Sequence, residues 1–257
     1  GGDKGTFNVD DVGYASAAAA GLDGGSTNPT AASVNTKSKF GIYTFDGNSA
    51  NRTLSHGLGQ QPDFTIVKKK SAAGNSWVVW HKEIANDKYL ILNNDNALDT
   101  DGTLFNTHTS DSNTLWTLGS NTSINETGQS SVAYLWCDVP GLQKFGTYEG
   151  LNNSNGPFVE LGFNPAIIWT KGVDSDSHGW EVHYNRGPKL RENPQSERLM
   201  LNESGPIASS NHVDFLSNGF KIRNTFSGMN STTDTYIYCA WADVPTVDLY
   251  GGGANAR

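Results

Sequence analysis

The sequence predicts an all-β chain: two tandem, internally duplicated antiparallel β-sandwich modules behind an extended N-terminal arm. Three observations predict it. The composition suits short strands joined by many turns, with 29 glycines, abundant Asn, Ser and Thr, and only 17% charged residues. The chain repeats itself at a nearly constant spacing. Its apolar residues alternate with a period of two, as a half-buried strand requires, rather than recurring every third or fourth position.

The repeat organises everything else. KFGIY at 39–43 recurs as KFGTY at 144–148, an offset of 105 (144 − 39). Near the other end, Trp136, Asp138 and Pro140 of LWCDVP become Trp241, Asp243 and Pro245 of AWADVP, again an offset of 105 (241 − 136). Between them Pro62 aligns with Pro165, Trp77 with Trp180, and Leu90 and Leu92 with Leu199 and Leu201, with loops absorbing small differences in spacing. A unit of this length is too long for a stacked solenoid repeat and suits a sandwich that folds around its own core. The expected organisation is an arm at 1–38, one module at 39–142, a second at 143–250 and a tail at 251–257.

The elements follow in order. The first 38 residues offer one strand near Thr6–Val12 and then Gly-, Ser-, Thr- and Asn-rich sequence without lasting periodicity, which reads as an arm. In SWVVWHK, Trp77, Val79 and His81 share one face and Val78 and Trp80 the other; in GWEVHYN the matching sets are Trp180, Val182 and Tyr184 against Glu181 and His183. The face with aromatics in both copies is expected to be the core. The opposite face is apolar in one copy and polar in the other. Trp80 is therefore either packed against a neighbouring module or subunit, or exposed for binding. DSDSHG at 174–179 reads as a hairpin turn. The strands SVAYLWCDVP and YIYCAWADVP are apolar on both faces and are expected to be central and covered on both sides, or to lie at an interface; Pro140 and Pro245 end them. Trp116, in SNTLWTLGS, is either a ring for stacking on a sugar or a core residue flanked by Leu115 and Leu118. Trp80, Trp116 and His183 are the candidate ligand- or partner-binding residues.

Several functions are disfavoured. A net charge of −8 opposes binding to nucleic acid or an anionic membrane. The basic run Lys68, Lys69, Lys70 reads as a solvated strand end. Cys137 and Cys239 sit in apolar strand sequence, where a thiol behaves as a small buried hydrophobe, and neither belongs to a metal-ligand spacing. No apolar run approaches membrane-spanning length and no secretion signal is present, while the absence of a starting Met suggests a processed or partial chain. No catalytic residue, cofactor or metal is expected. Asp138 and Asp243 read as turn residues, no GxSxG elbow frames the six histidines, and no phosphate-binding glycine motif occurs. NNDNALDTDG, with Asp95, Asp99 and Asp101, departs from the calcium-loop pattern and reads as a solvated loop. Asn51, Asn125 and Asn230 stand in N-x-[ST] triplets, which carry no weight without a eukaryotic secretory setting.

The segments SHGLGQQPDFTIVKKK, NSWVVWHK, KYLILNN, YLWCDVPGLQKFGTYEGLNNSNGPFVELGFNPAIIWTK, VDFLSNGFKIRNT, TYIYCAWADVP and ANAR together resemble a domain of unknown function. It is found in virion proteins of marine bacteriophages, including phages of cyanobacteria, commonly at the C-terminus of tail-fibre-like polypeptides. The resemblance covers about residues 35–257. It departs at the end, where Asp248–Tyr250 runs into a glycine triplet rather than an aromatic segment ending in YANAR. The resemblance implies a virion structural protein, a tail-fibre or spike component at the extracellular virion surface. Such a protein is expected to be a homo-trimer contacting other virion subunits and host glycan, with no nucleic acid bound and no membrane insertion. The alternatives are a capsid decoration protein and, in a third class, a surface-glycan depolymerase.

Overall fold

The computed structural model describes residues 6–70, 75–105, 108, 110–185, 192–205 and 208–245, and they form an all-β, sandwich-like structure. The chain divides into two compact units, Gly1–Ile91 with Asp99–Cys137, and Leu92–Leu98 with Asp138–Arg257. The tail at 251–257 lies outside the described residues.

The first unit contains β1 (Phe7–Val9), β2 (Val12–Tyr14), β3 (Ala31–Asn35), β4 (Phe40–Asp46), β5 (Arg52–Ser55), β6 (Phe64–Lys69), β7 (Trp77–His81), β8 (Lys88–Ile91), β9 (Asp99–Thr100) and β10 (Leu115–Leu118). A single helical turn, α1 (Thr122–Asn125), and β11 (Ser130–Trp136) complete it. Nine strands form one sheet in the order β2-β1-β3-β4-β11-β6-β7-β8-β9, and β5 and β10 form a second. All pairs are antiparallel except β1 with β3. Trp116 of β10 meets Phe45 of β4 edge-on at 6.1 Å, so the two sheets face each other across a core.

The second unit contains β12 (Gln143–Glu149), β13 (Phe158–Glu160), β14 (Pro165–Gly172), β15 (Trp180–Tyr184), β16 (Gln195–Met200), β17 (Ala208–Leu216), β18 (Gly219–Ile222), the helical turn α2 (Ser227–Asn230) and β19 (Thr235–Ala242). Its strands form one sheet in the order β12-β19-β14-β15-β16-β17-β18-β13. Val159 of β13, Ile168 of β14, Phe220 of β18 and Tyr238 of β19 belong to one apolar cluster. Strands from both ends and the middle of the sheet thus enclose one core. The hairpin expected at DSDSHG joins β14 to β15, with Ser177 at φ 67°.

The duplication is visible in the register. Val79 lies opposite Leu90 in one copy, and Val182 opposite Leu199 in the other. The run β4-β11-β6-β7-β8 matches β12-β19-β14-β15-β16. Both last strands, β11 and β19, are central, as their apolar sequences predict. In β19 five consecutive residues, Tyr236 to Ala240, are buried; β11 instead alternates buried and half-buried positions.

Two expectations meet a different arrangement. Read from sequence as an arm, the segment before Lys39 supplies β1, β2 and β3, and β3 pairs along its length with β4. Leu22, Ala32 and Val34 are buried there, so backbone pairing and a few small apolar groups order a segment that has little amphipathic pattern. The second difference is the choice of core face. Ala133 of β11 lies opposite Tyr43 and Val67, Val67 lies opposite Val78, and Thr65 opposite Trp80. The inter-sheet core therefore receives Val78 and Trp80, not the Trp77 face. In the second unit, Ile168 and Thr170 place His183 and Glu181 on the core side in the same way. Val79 and His81 are buried too, so β7 is covered on both sides and its alternation does not reveal which face looks between the sheets.

Each module is closed by an asparagine that sequence reading leaves as a bare triplet. Asn125 is fully buried; its Nδ2 donates to Ala50 O (2.8 Å) and Gly119 O (2.7 Å), and its Oδ1 accepts from Asn48 N (3.0 Å). Asn230, 105 positions later, does the same: Nδ2 donates to Asn153 O (2.8 Å) and Asn224 O (2.6 Å), and Oδ1 accepts from Leu151 N (2.7 Å). The backbone around them is also copied. Ser49 N donates to Asn125 O and Asn152 N to Asn230 O, with Ser49 at φ 55° and Asn152 at φ 45°. Gly47 and Gly150 leave no room for a Cβ, because the carbonyls of Glu126 and Ser231 occupy that space.

Replacing Asn125 or Asn230 by Ala strands two carbonyls and an amide that are at least partly buried, so each change is expected to destabilise its own module by about 2 kcal/mol in urea unfolding. Asn→Asp at either position keeps the acceptor but loses both donors, and is expected to be at least as damaging.

Candidate functional site

The structure brings the three candidate residues into the cores rather than onto a surface. Trp80 is 4% exposed, Trp116 1% and His183 fully buried. None of them offers a face to a ligand, which corrects the binding-surface expectation. The reason is their place in the register: Trp80 points between the two sheets of the first unit, His183 into the core that the second unit's sheet encloses, and Trp116 lies on β10, which covers the first of these cores.

In the first unit these rings form one stack. Trp80 packs on His108 with centroids 4.6 Å apart, and His108 meets Phe105 at 5.0 Å and Trp116 at 6.2 Å. His108 Nδ1 is 2.9 Å from Asp111 Oδ2, but off the axis of a hydrogen bond. Asp111 Oδ1 accepts from Thr117 N (2.6 Å) and Thr117 Oγ1 (2.7 Å), which ties this carboxylate to β10.

In the second unit the equivalent layer is polar. His183 occupies the place of Trp80, and His212, 104 positions after His108, packs on it with centroids 5.2 Å apart. Glu181 replaces Val78. Arg198 on β16 donates to Glu181 Oε1 at 2.5 Å and lies 4.5 Å over the Phe226 ring. Asn224 Nδ2 lies 2.7 Å from His212 Nδ1, which fixes that ring. Among the described residues, both nitrogens of His183, Nε2 of His212, Oε2 of Glu181 and Nε of Arg198 are buried without a hydrogen-bond partner.

Burial dominates the charge states here. It holds His183 well below the ordinary imidazole range, with His212 and Arg198 adding to the effect. His212 is lowered to about 4 by burial and then by Arg198. Burial raises the Glu181 carboxyl, against the opposing hydrogen bond and charge of Arg198. Near neutral pH the layer therefore holds two uncharged imidazoles beside the Arg198–Glu181 pair. Among the described residues, no group of three or more His, Cys, Asp or Glu side chains is placed to hold a metal ion.

Lysine placement also departs from the sequence reading. Lys69 is buried rather than solvated, with Nζ 2.5 Å from Glu126 Oε2. Lys171 is fully buried, donates to Gly172 O at 2.8 Å, and is lowered to about 8 by burial, which outweighs the opposing charges of Asp95 and Asp176. Asp138 acts in a turn as expected, accepting from Phe145 N at 2.8 Å. In the acidic loop, Asp101 Oδ1 accepts from Thr103 N and Asp99 Oδ2 from Tyr89 Oη. Cys137 and Cys239 are both buried, and neither is in a disulfide.

The sequence model of one family, described as Domain of unknown function (DUF7483), matches residues 12–245. The chain belongs to this family. The match runs through both copies, so the DUF7483 unit is the tandem pair rather than one module, and it takes in β2 and β3 as well. No curated protein and no solved structure matches the chain.

The residues that sequence reasoning missed are Arg198, His212, Asn224 and Phe226. One signal was available: aligning the two copies sets His108 against His212, just as it sets Trp80 against His183.

Breaking a buried ion pair costs more than removing it whole. Arg198→Leu is expected to destabilise the second module by about 3 kcal/mol in urea unfolding, while Glu181→Leu with Arg198→Leu recovers most of that loss. Lys171 gives a pH signature. Its folded value of about 8 lies below the unfolded 10.5, so the folded state binds fewer protons between them. The cost of burying the ammonium is full below the folded value and is relieved as pH rises through this window. Stability measured across it should rise in the parent protein and stay flatter in Lys171→Met.

Proposed function

We propose that the chain is a structural component of a bacteriophage particle, most closely a tail-fibre or spike part that presents loops to glycans on the host surface. The resemblance to virion proteins motivates this reading. The structural observation that supports it is a duplicated β frame whose loops are fastened by their own side chains. Asn35 Oδ1 accepts from Lys37 N (3.1 Å) and Ser38 N (2.7 Å), Asn153 Oδ1 from Asn155 N (2.8 Å), and Asn224 Oδ1 from Phe226 N (3.1 Å). Such local bonds hold polar loops in shape without a cofactor, which suits a part that works outside a cell. A net charge of −8 adds solubility and keeps the surface from binding polyanions non-specifically. In this reading the partners are other virion subunits and further copies of the chain, at the exterior of the particle.

Light scattering is expected to give a particle of about three times the 27.6 kDa chain mass, and the labelled protein is expected to bind host cells and be displaced by host polysaccharide. A stable monomer that binds isolated capsids but not host cells would overturn the fibre reading in favour of capsid decoration. Release of reducing sugar from that polysaccharide would overturn it in favour of a depolymerase.

A further inference from the structure

We propose that the buried histidine pair of the second module, His183 and His212, is an acid-sensitive latch that loosens β15, β16 and β17 while the first module stays closed. The geometry carries this. His183 is fully buried and His212 is 3% exposed, with their rings 5.2 Å apart. An added proton on either ring makes a cation that needs an acceptor. Among the described residues His183 has none for either nitrogen and His212 has none for Nε2. The one carboxylate in the layer, Glu181, is already committed to Arg198 at 2.5 Å.

Among the described residues, the charged and titratable groups around the pair come from three strands and the segment after β16. Glu181 shares β15, Arg198 comes from β16, and Tyr148 from β12 feels Glu181 from across the core; Glu203 acts on Glu181 from beyond β16. Asn224 and Phe226 close the remaining side and carry no charge. Arg198 and Glu181 form the ion pair of this layer. A proton on either histidine therefore adds a cation beside Arg198 with, among the described residues, no further carboxylate in the layer to meet it.

The signs of these steps differ. The histidines have folded values below the unfolded one, so the folded state binds fewer protons than the unfolded state and stability falls as pH drops through the window from 6.5 to about 4. Glu181, raised by burial, works in the other direction. Two histidines oppose one carboxyl, so acid weakens the module on balance. Relief comes from exposing His212, on β17, whose pairing with β16 is interrupted by a shift in register. Among the described residues the first module has no such pair: Trp80 fills the site of His183, its neighbour His108 has Asp111 Oδ2 at 2.9 Å from Nδ1, and the buried His56, also lowered by burial, keeps Ser112 O at 3.1 Å from Nε2 as an acceptor.

The test is amide hydrogen exchange on the full chain, corrected for the intrinsic pH dependence of exchange, at about pH 7 and about pH 4.5. Protection in β15, β16 and β17 is expected to fall by about tenfold or more, while β4, β7 and β11 change by less than about threefold. The His183→Phe, His212→Gln double variant is expected to lose the difference. Equal loss in both modules, no loss in either, or a loss that persists in the double variant would overturn the proposal. If that variant does not fold, NMR titration of the histidine rings in the parent protein decides. Ordinary titration of His183 and His212 near 6.5 would overturn the latch, and depressed titration accompanied by broadening of β16 and β17 signals would support it.

Discussion

Each module depends on its last strand reaching a place between strands made much earlier. Strand β11 must enter between β4 and β6, and β19 between β12 and β14. Until that strand arrives, the first strand of each copy has no partner on that side and the sheet has a gap at its centre. The buried asparagine sits just upstream of that strand in both copies. By fixing the turn before β11 or β19 against the loop after β4 or β12, Asn125 and Asn230 set the point from which the strand enters. The fold is therefore dominated by contacts between distant parts of the chain, a pattern associated with slow folding.

The two copies solve the same packing problem with different chemistry. The first fills its inter-sheet layer with Trp80, His108, Phe105 and Trp116, gaining apolar burial and ring contacts. The second spends its equivalent volume on Glu181, His183, Arg198 and His212. A buried ion pair seldom adds more stability than a well-packed apolar substitute. The aromatic layer is therefore the better source of stability, and the polar layer the better source of responsiveness to solution conditions.

Much of the architecture was legible in the residues. The offset of 105, the strand class and the central position of the last strands all follow from pattern, because duplication and alternation leave direct traces in sequence. The inward face of β7 was not legible. Both its faces are apolar, and burial on two sides erases the alternation that would tell them apart. Trp80 and Trp116 looked like binding residues because a lone tryptophan carries no mark of its depth. Asn125 and Asn230 were hidden for another reason: a buried carboxamide that satisfies three backbone groups is spelled like any turn asparagine. Arg198 and His212 were hidden because pairing between β16 and β17 involves a shift in register that spacing alone does not reveal.

The burial of Asn125 and Asn230 bears on how the chain can be made. Both are acceptor asparagines in N-x-[ST] triplets, followed by Thr127 and Thr232. In a eukaryotic secretory pathway, oligosaccharide is added to such triplets in extended, emerging chain, before strands assemble. A sugar on either nitrogen would occupy the atom that closes a module and would leave no space for the last strand. Production of this chain in such a pathway therefore calls for removing Thr127 and Thr232, not the asparagines.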